Sequence, residues 1–468
     1  MNPLIQREMT NPSFLIAVVI VCIGSLQNAH AVSPAPDGGY PGGNTAEGQA
    51  ALFSLTTGGF NTAVGFLSLR SNTTNSLNTA LGAGTLPANA ADKNTAVGAG
   101  ALLSNTTGTA NTANGALALF SNTTGVQNTA LGASALFSNT TGDNNTAMGI
   151  SALSSNTTAN ANTAIGYKAL ITNTAGDANT ALGASALFAN TTGVNNTATG
   201  VQALSSNTVG GTNTAIGAQA LLSNTTGSVN TAIGYQALMS NVGTDNTAAG
   251  AGALGSNTTG SANTAFGLDS LPNNTTGTNN TAYGIGAGQN VTTGNNVLCI
   301  RADGANVDNS CFIGNIRGTT TAINDAIPVL IDSLGQLGTM SSARRFKTGI
   351  QTLDKASEAI LALKPVTFHY KADTTNRPEF GLIAEEVAEV NPDLVVRDKN
   401  GEIYTVRYDA VNAMLLNEFL KEHRKVERLE AALRTVNERL AEQDARIQKI
   451  SAQIKLKKPT PQVAENNH

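Results

Sequence analysis

Small, polar and apolar positions recur with a fixed period through more than half of the 468-residue chain. The triplet Asn-Thr-Ala begins fifteen successive repeats between Asn44 and Asn280, with twelve steps of 17 residues and two of 16. A Gly follows each Asn by four positions in all fifteen copies, and a Leu follows it by eight in fourteen. A fixed period of this length indicates a solenoid of stacked coils.

The consensus N-T-A-x-G-x-x-A-L-x-x-N-T-T-G-x-x favours short strands over helices. Gly and paired Thr return in every coil, and no apolar stripe with a 3.6-residue period survives. Thr-Ala-x-Gly alternates like a strand, and Asn-Thr-Thr-Gly supplies turn residues. We therefore predict a β-solenoid over residues 44–297, with one coil per repeat and two short strands per coil. Fifteen coils at about 4.8 Å each would form a rod roughly 70 Å long.

The apolar content of each coil is low for a chain that folds alone. A 17-residue coil offers one Leu and one or two other apolar residues. Burial of the Ala and Gly faces is expected to need a close neighbour, which three chains around one axis would provide. The sequence therefore favours a homotrimer over a monomeric solenoid.

The pattern changes after Gly294. Short apolar runs between turn residues predict a β neck over residues 298–340, with strands at 298–300, 311–313 and 329–331. An ordinary mixed α/β pattern follows over residues 341–408. Its predicted helices are 353–363 and 385–390, and its predicted strands are 366–370, 380–384 and 403–408.

A long helix with a heptad pattern closes the chain and predicts a coiled coil over residues 409–456. Most a and d positions are apolar over six heptads, while Glu422 and Gln443 are polar d residues. A core helix of a globular domain is the alternative, and the length of forty-odd residues argues against it. Residues 457–468, which contain Pro459 and Pro461, are predicted to be a disordered tail.

The charges are placed very unevenly. Residues 32–300 hold three basic and seven acidic side chains, whereas residues 301–468 hold 23 of each. The net charge of −4 and the absence of a basic cluster in the repeats argue against nucleic-acid binding. Four scattered His and three Cys argue against a zinc site. We expect no metal and no cofactor, and the sparse carboxylates make a glycosidase improbable.

The N-terminus has the pattern of a secretory signal peptide over residues 1–31. Arg7 precedes a 13-residue apolar run, and Ala29-His30-Ala31 forms a small-x-small cleavage site. A short membrane anchor or a buried helix is the alternative. Signal removal predicts a secreted or cell-surface protein without a stable membrane span. Cys299 and Cys311 would then either pair in an oxidising compartment or remain free thiols.

Two resemblances to known families follow from these motifs. The repeats resemble the NTA-x-G head repeats of trimeric bacterial adhesins and phage fibres. Residues 338–420 resemble the intramolecular chaperone domain of endosialidase-type phage tailspikes, the S74 peptidase family. The stretches that carry the second resemblance are GQLG at 335–338, SSARRFK at 341–347, LKPVTFHY at 363–370, FGLIAEEV at 380–387 and NP at 391–392.

The S74 resemblance implies a homotrimer whose C-terminal domain assists assembly and then cuts itself off. The family pattern places the nucleophile at Ser342, an Arg at Arg345 and the base at Lys347. A Ser hydroxyl needs a base to become nucleophilic, and a Lys serves as that base only when desolvation favours its neutral amine. A solvated Ser-rich turn is the plain alternative.

Three features of the sequence depart from the family pattern or leave it ambiguous. Ala343 occupies the position of the usual Asp, and Glu385 that of the usual Gln. Ser341 makes the nucleophile ambiguous by one residue. Either substitution puts cleavage in doubt.

The leading hypothesis is a secreted homotrimeric fibre with a self-cleaving C-terminal chaperone that acts once as a Ser–Lys endopeptidase. The alternative is a surface adhesin that binds cell-surface or extracellular glycans and keeps a non-cleaving trimerisation domain. A phage tail fibre is disfavoured by the signal peptide.

Overall fold

The computed structural model describes residues 41–323, 326–332, 335–371, 373–398 and 400–456. The predicted signal peptide and the C-terminal tail lie outside these residues. The chain divides into two compact units, residues 1–320 and residues 321–468. Among the described residues, no helix is both long and apolar enough to cross a membrane.

The first unit is a β-solenoid built on one parallel sheet of seventeen three-residue strands. Each strand pairs with the next along the chain, so that Thr lies opposite Thr and Ala opposite Ala between coils. The predicted solenoid with one coil per repeat is therefore confirmed. The strands are β1 Thr45–Glu47, β2 Thr62–Val64, β3 Thr79–Leu81, β4 Thr95–Val97, β5 Thr112–Asn114, β6 Thr129–Leu131, β7 Thr146–Met148, β8 Thr163–Ile165, β9 Thr180–Leu182, β10 Thr197–Thr199, β11 Thr214–Ile216, β12 Thr231–Ile233, β13 Thr247–Ala249, β14 Thr264–Phe266, β15 Thr281–Tyr283, β16 Leu298–Ile300 and β17 Cys311–Ile313.

The prediction of two strands per coil is wrong, because each described repeat coil contains one. On the opposite side of the coil, the repeat Leu has a φ between 48° and 53°, in the left-handed region. Leu187 illustrates this geometry: its N–H donates to the carbonyl of Ala203 at 3.0 Å, one coil further on. The coils are thus hydrogen-bonded there through turns, since a left-handed residue cannot continue a strand.

The core of the solenoid is closed within one chain. The middle Ala of each repeat strand and the Ala-Leu pair on the opposite side are buried, as Ala181, Ala186 and Leu187 show at 0 % exposure. The expectation that these faces need a neighbouring chain is therefore wrong. The tight coil brings small residues together, so one Leu per coil fills the interior.

Two ladders of buried Asn side chains accompany this core. The Asn that begins each repeat accepts the N–H of its equivalent in the next coil, as Asn196 N–H donates to Asn179 Oδ1 at 3.0 Å. The carbonyl of Gly193 accepts from Asn179 Nδ2 at 2.8 Å and from Asn190 Nδ2, in the second ladder, at 3.0 Å. The amides thus satisfy backbone groups that would otherwise be buried without partners, which explains why Asn occupies these positions.

The Gly of the Asn-Thr-Thr-Gly corner is required by a close approach of two coils. A Cβ atom added to Gly193 would lie 2.4 Å from the carbonyl oxygen of Gly210. This oxygen belongs to the backbone of the next coil, so any side chain at this position would displace that coil.

The solenoid continues beyond the repeats into the region predicted as a neck. Strands β16 and β17 extend the parallel sheet, with Leu298 opposite Cys311. Cys299 and Cys311 are both free thiols, the first buried and the second exposed. Burial, with smaller contributions from Cys311 and Asp303, raises the pKa of the Cys299 thiol to about 11.

The second unit is a small α/β domain followed by a long helix. Its buried core consists of Val387, Leu394, Val395, Val406 and Met414. All of its strands pair antiparallel, β18 with β19, β20 with β21 and β22 with β23. The elements are β18 Leu330–Ile331, β19 Leu337–Gly338, a 3-10 turn at Arg344–Phe346, a 3-10 segment at Asp354–Ala362, β20 Val366–Phe368, β21 Glu379–Gly381, α1 Ala384–Val390, a 3-10 turn at Pro392–Leu394, β22 Val395–Arg397, β23 Ile403–Val406 and α2 Tyr408–Leu456.

Several predicted elements of this unit differ in type or length. The predicted helix 353–363 is a 3-10 segment, and the predicted strands 366–370, 380–384 and 403–408 are shorter. The long helix is present as α2, and Phe419, Leu429 and Ile447 on its a and d positions are 66 %, 61 % and 62 % exposed. The coiled coil stays a prediction.

Candidate functional site

The structure brings Ser342 and Lys347 together, the two residues that the sequence places in a dyad. Lys347 Nζ donates to Ser342 Oγ at 3.1 Å. The 3-10 turn between them folds the chain back, since Phe346 N–H donates to Ala343 O and Lys347 N–H to Arg344 O, both at 3.0 Å. The backbone turn therefore brings the two residues close enough for their side chains to meet.

The direction of this hydrogen bond matters for chemistry. A protonated Lys amine can only donate to a Ser hydroxyl, so a base role for Lys347 requires the neutral amine. Both side chains are exposed in the single chain. Water favours the charged form of an amine, and a change that shields this turn from water would favour the neutral form.

The other residues of the motif do not contact the Ser342–Lys347 pair in the hydrogen bonds and ring contacts described next. The Arg345 guanidinium lies over the Phe346 ring, 4.8 Å from its centroid, in a cation–π contact. Ser341 Oγ accepts the N–H of Ala343 at 3.4 Å. Glu385 lies in the first turn of α1. The structure thus pairs Lys347 with Ser342 and directs Ser341 towards the backbone.

A second polar cluster, which the sequence did not predict, joins the 3-10 segment 354–362 to α2. Buried Ser357 donates to Glu418 Oε1 and accepts from Asn417 Nδ2 at 2.7 Å. Lys421 Nζ lies 2.6 Å from Glu418 Oε1 and donates to the carbonyl of Asp354 at 2.7 Å. Lys421 and Ser357 lower the pKa of Glu418, and Glu418 raises that of Lys421. These contacts link the 3-10 segment to α2. Because Ser357 is 0 % exposed, its hydroxyl is not accessible to a peptide.

An apolar groove of about 640 Å³ lies beside this cluster. Ile360, Val366, Phe380, Tyr408 and Leu415 are among its lining residues. Tyr408 Oη accepts the N–H of Leu382 at 3.1 Å and so ties α2 to the β20–β21 hairpin. No sequence signal identified the groove, because its walls come from segments far apart along the chain.

Comparison with known families finds a similarity for one segment of this unit. Residues 342–396 match the family model described as the chaperone of endosialidase, Peptidase S74. The match begins at Ser342 and confirms the S74 resemblance for these residues, with a β-solenoid preceding them. No curated protein and no solved structure matches the chain significantly.

Proposed function

We propose that this protein is a secreted homotrimeric fibre whose second unit assists trimer folding and is then released by self-cleavage near Ser342. The observation that carries the proposal is the 3.1 Å contact of Lys347 Nζ with Ser342 Oγ, at the start of the segment that matches the chaperone family. The β-solenoid ahead of it supplies the fibre.

The proposed reaction needs only groups of this chain and water. Neutral Lys347 takes the hydroxyl proton as Ser342 Oγ bonds to the carbonyl carbon of the scissile peptide. The C–N bond breaks, and the leaving amine receives the proton from Lys347. Water then hydrolyses the ester, which restores the hydroxyl. Assembly would shield the turn and favour the neutral amine, so that cleavage follows folding.

The exposed apolar residues of the second unit support assembly. The open groove and the a and d residues of α2, such as Phe419 and Leu433, remain in contact with water in the single chain. A parallel trimeric coiled coil would cover the helix positions. This is the basis for assigning trimer formation to α2.

Mass spectrometry of the secreted protein tests the proposal. We expect a mature N-terminus after Ala31 and two fragments separated near residue 342. Ser342→Ala should leave a full-length trimer, while the matched Ser341→Ala control should cleave normally. Cleavage of the Ser342→Ala protein would overturn the assigned nucleophile.

A non-cleaving surface adhesin is the second candidate. Ala343 in place of the family's usual Asp and the exposure of both dyad side chains favour it. In that case the second unit would stay attached as a passive trimerisation domain, and the solenoid would bind cell-surface or extracellular glycans. A single full-length band in the secreted trimer would support this candidate over self-cleavage.

A further inference from the structure

A stripe of apolar side chains, interrupted at two strands, runs along the outer face of the solenoid sheet. The last residue of each strand points away from the core, because the middle residue points into it. Among strands β2–β17, fourteen of sixteen end on an apolar residue, Asn114 and Thr199 are the exceptions, and none ends on a charge. The apolar stripe consists of Val64, Leu81, Val97, Leu131, Met148, Ile165, Leu182, Ile216, Ile233, Ala249, Phe266, Tyr283, Ile300 and Ile313.

These side chains stay in contact with water although each is flanked by its neighbours in the stripe. Ten of them are between 36 % and 63 % exposed, for example Leu182 at 44 % and Ile216 at 42 %. Further exposed residues lie two positions after the stripe in several coils, such as Tyr235 and Ile285. Tyr283 and Ile285 line the same cavity and thus share one face. Exposed apolar surface of this extent marks an interaction site.

The area of the stripe suits a stable interface. Fifteen strand spacings of about 4.8 Å make the stripe roughly 72 Å long, and a width of about 10 Å gives roughly 700 Å². A standard protein–protein interface buries about 800 Å² on each partner. The stripe alone therefore approaches the size that a specific partner needs.

The pitch of the stripe is preserved where the repeats are irregular. The coils that begin at Asn78 and Asn230 have 16 residues in place of 17. In both coils the missing residue lies between the Asn of the second ladder and the end of the coil. The strands on either side remain in register, with Thr79 opposite Thr95 and Thr231 opposite Thr247. Shortening is confined to the corner away from the sheet, so the stripe keeps one side chain per strand spacing.

The regular spacing of the stripe indicates which partner covers it. A partner that covers the whole length must present apolar groups at the same pitch, and another copy of this chain does so. Because the stripe carries no charge, parallel copies meet without like-charge contacts. We propose that the apolar stripe is the surface on which copies of this chain pack side by side, with the stripes facing a common axis. The inference rests on the proposed homotrimer and names its interface in the solenoid.

Site-specific cross-linking of the full-length protein tests this assignment. In a Cys311→Ser background, Ile216→Cys places a thiol on the stripe, and Thr226→Cys places one at an exposed position of the same coil's Asn-Thr-Thr-Gly corner. Oxidation should give covalent dimers for Ile216→Cys and none for Thr226→Cys. The combined substitutions Leu131→Lys, Leu182→Lys and Ile233→Lys should abolish the Ile216→Cys product. Circular dichroism of each variant checks that the solenoid is still folded, as we expect for substitutions of outward-facing side chains.

The mass in solution separates the two proposals. A trimer that cross-links equally at both sites, or not at Ile216→Cys, would overturn the stripe as interface and leave the proposed trimer standing. A monomeric mass would overturn the trimer itself and the packing that depends on it.

Discussion

Lys347 Nζ lies 3.1 Å from Ser342 Oγ across a single 3-10 turn, with both side chains open to solvent. The contact is local, so the single chain already contains the two groups at reaction distance. The single chain lacks a shielded environment around these two groups.

Lys347→Arg should abolish the proposed cleavage while keeping the positive charge. An Arg guanidinium stays protonated in proteins, so it cannot take the Ser342 proton. Conversely, Ala343→Asp restores the family's usual residue and should increase the cleaved fraction. A time course on denaturing gels measures both. Cleavage by the Arg variant at the normal rate would rule out Lys347 as the base.

Asn179→Ala should loosen the solenoid locally. The change removes one donor to Gly193 O and leaves the buried N–H of Asn196 without its acceptor. The Gly193 carbonyl keeps its bond from Asn190 Nδ2, so the Asn196 N–H is the one group left unsatisfied. An unsatisfied buried group costs about 1–3 kcal/mol, and we therefore expect a loss of about 2 kcal/mol. Amide exchange in residues 179–196 should accelerate about 30-fold, because 1.4 kcal/mol is a factor of ten. Thr192→Ala, an exposed change in the same coil, should leave exchange unchanged.

The two thiols at the end of the solenoid should differ sharply in reactivity. Alkylation proceeds through the thiolate, and burial raises the pKa of Cys299 to about 11, whereas Cys311 is exposed. Iodoacetamide at about pH 8 should label Cys311 in the native protein and Cys299 only after unfolding. Peptide mass spectrometry reads each site separately. Labelling that needs a reductant at both sites would instead reveal a disulfide.

The sequence was sufficient for the period and for the position of the repeat strand, because both depend on residues close together in the chain. The Ser342–Lys347 pair came from the family resemblance, and the structure shows that the two side chains are in contact. The sequence was insufficient for the closed core, since a left-handed Leu187 is not expected from residue preferences. The same left-handed turn replaced the second strand of each coil. The contact of Ser357 with Glu418 joins residues 61 positions apart, and no local pattern predicts such a pair.

The cluster around Glu418 should make the anchoring of α2 dependent on pH. Lys421 and then Ser357 lower the pKa of Glu418 below its usual 4.5. A carboxyl with a lowered pKa in the folded state adds stability above the unfolded value, and this stability is lost as pH falls through the folded value. Glu418→Gln should therefore destabilise the second unit at neutral pH, and the difference from the unchanged protein should shrink as pH falls below 4.5.

Denaturant unfolding followed by the helical circular dichroism of α2 measures this difference at each pH. Glu438→Gln removes the same charge from an exposed position of α2 and is the matched control. It should leave stability nearly unchanged throughout. A Glu418→Gln effect that is equally large at neutral and at acid pH would show that the side chain acts by packing alone. A difference confined to the range above the folded pKa would identify the carboxylate charge, held between Lys421 and Ser357, as the group that fastens the helix.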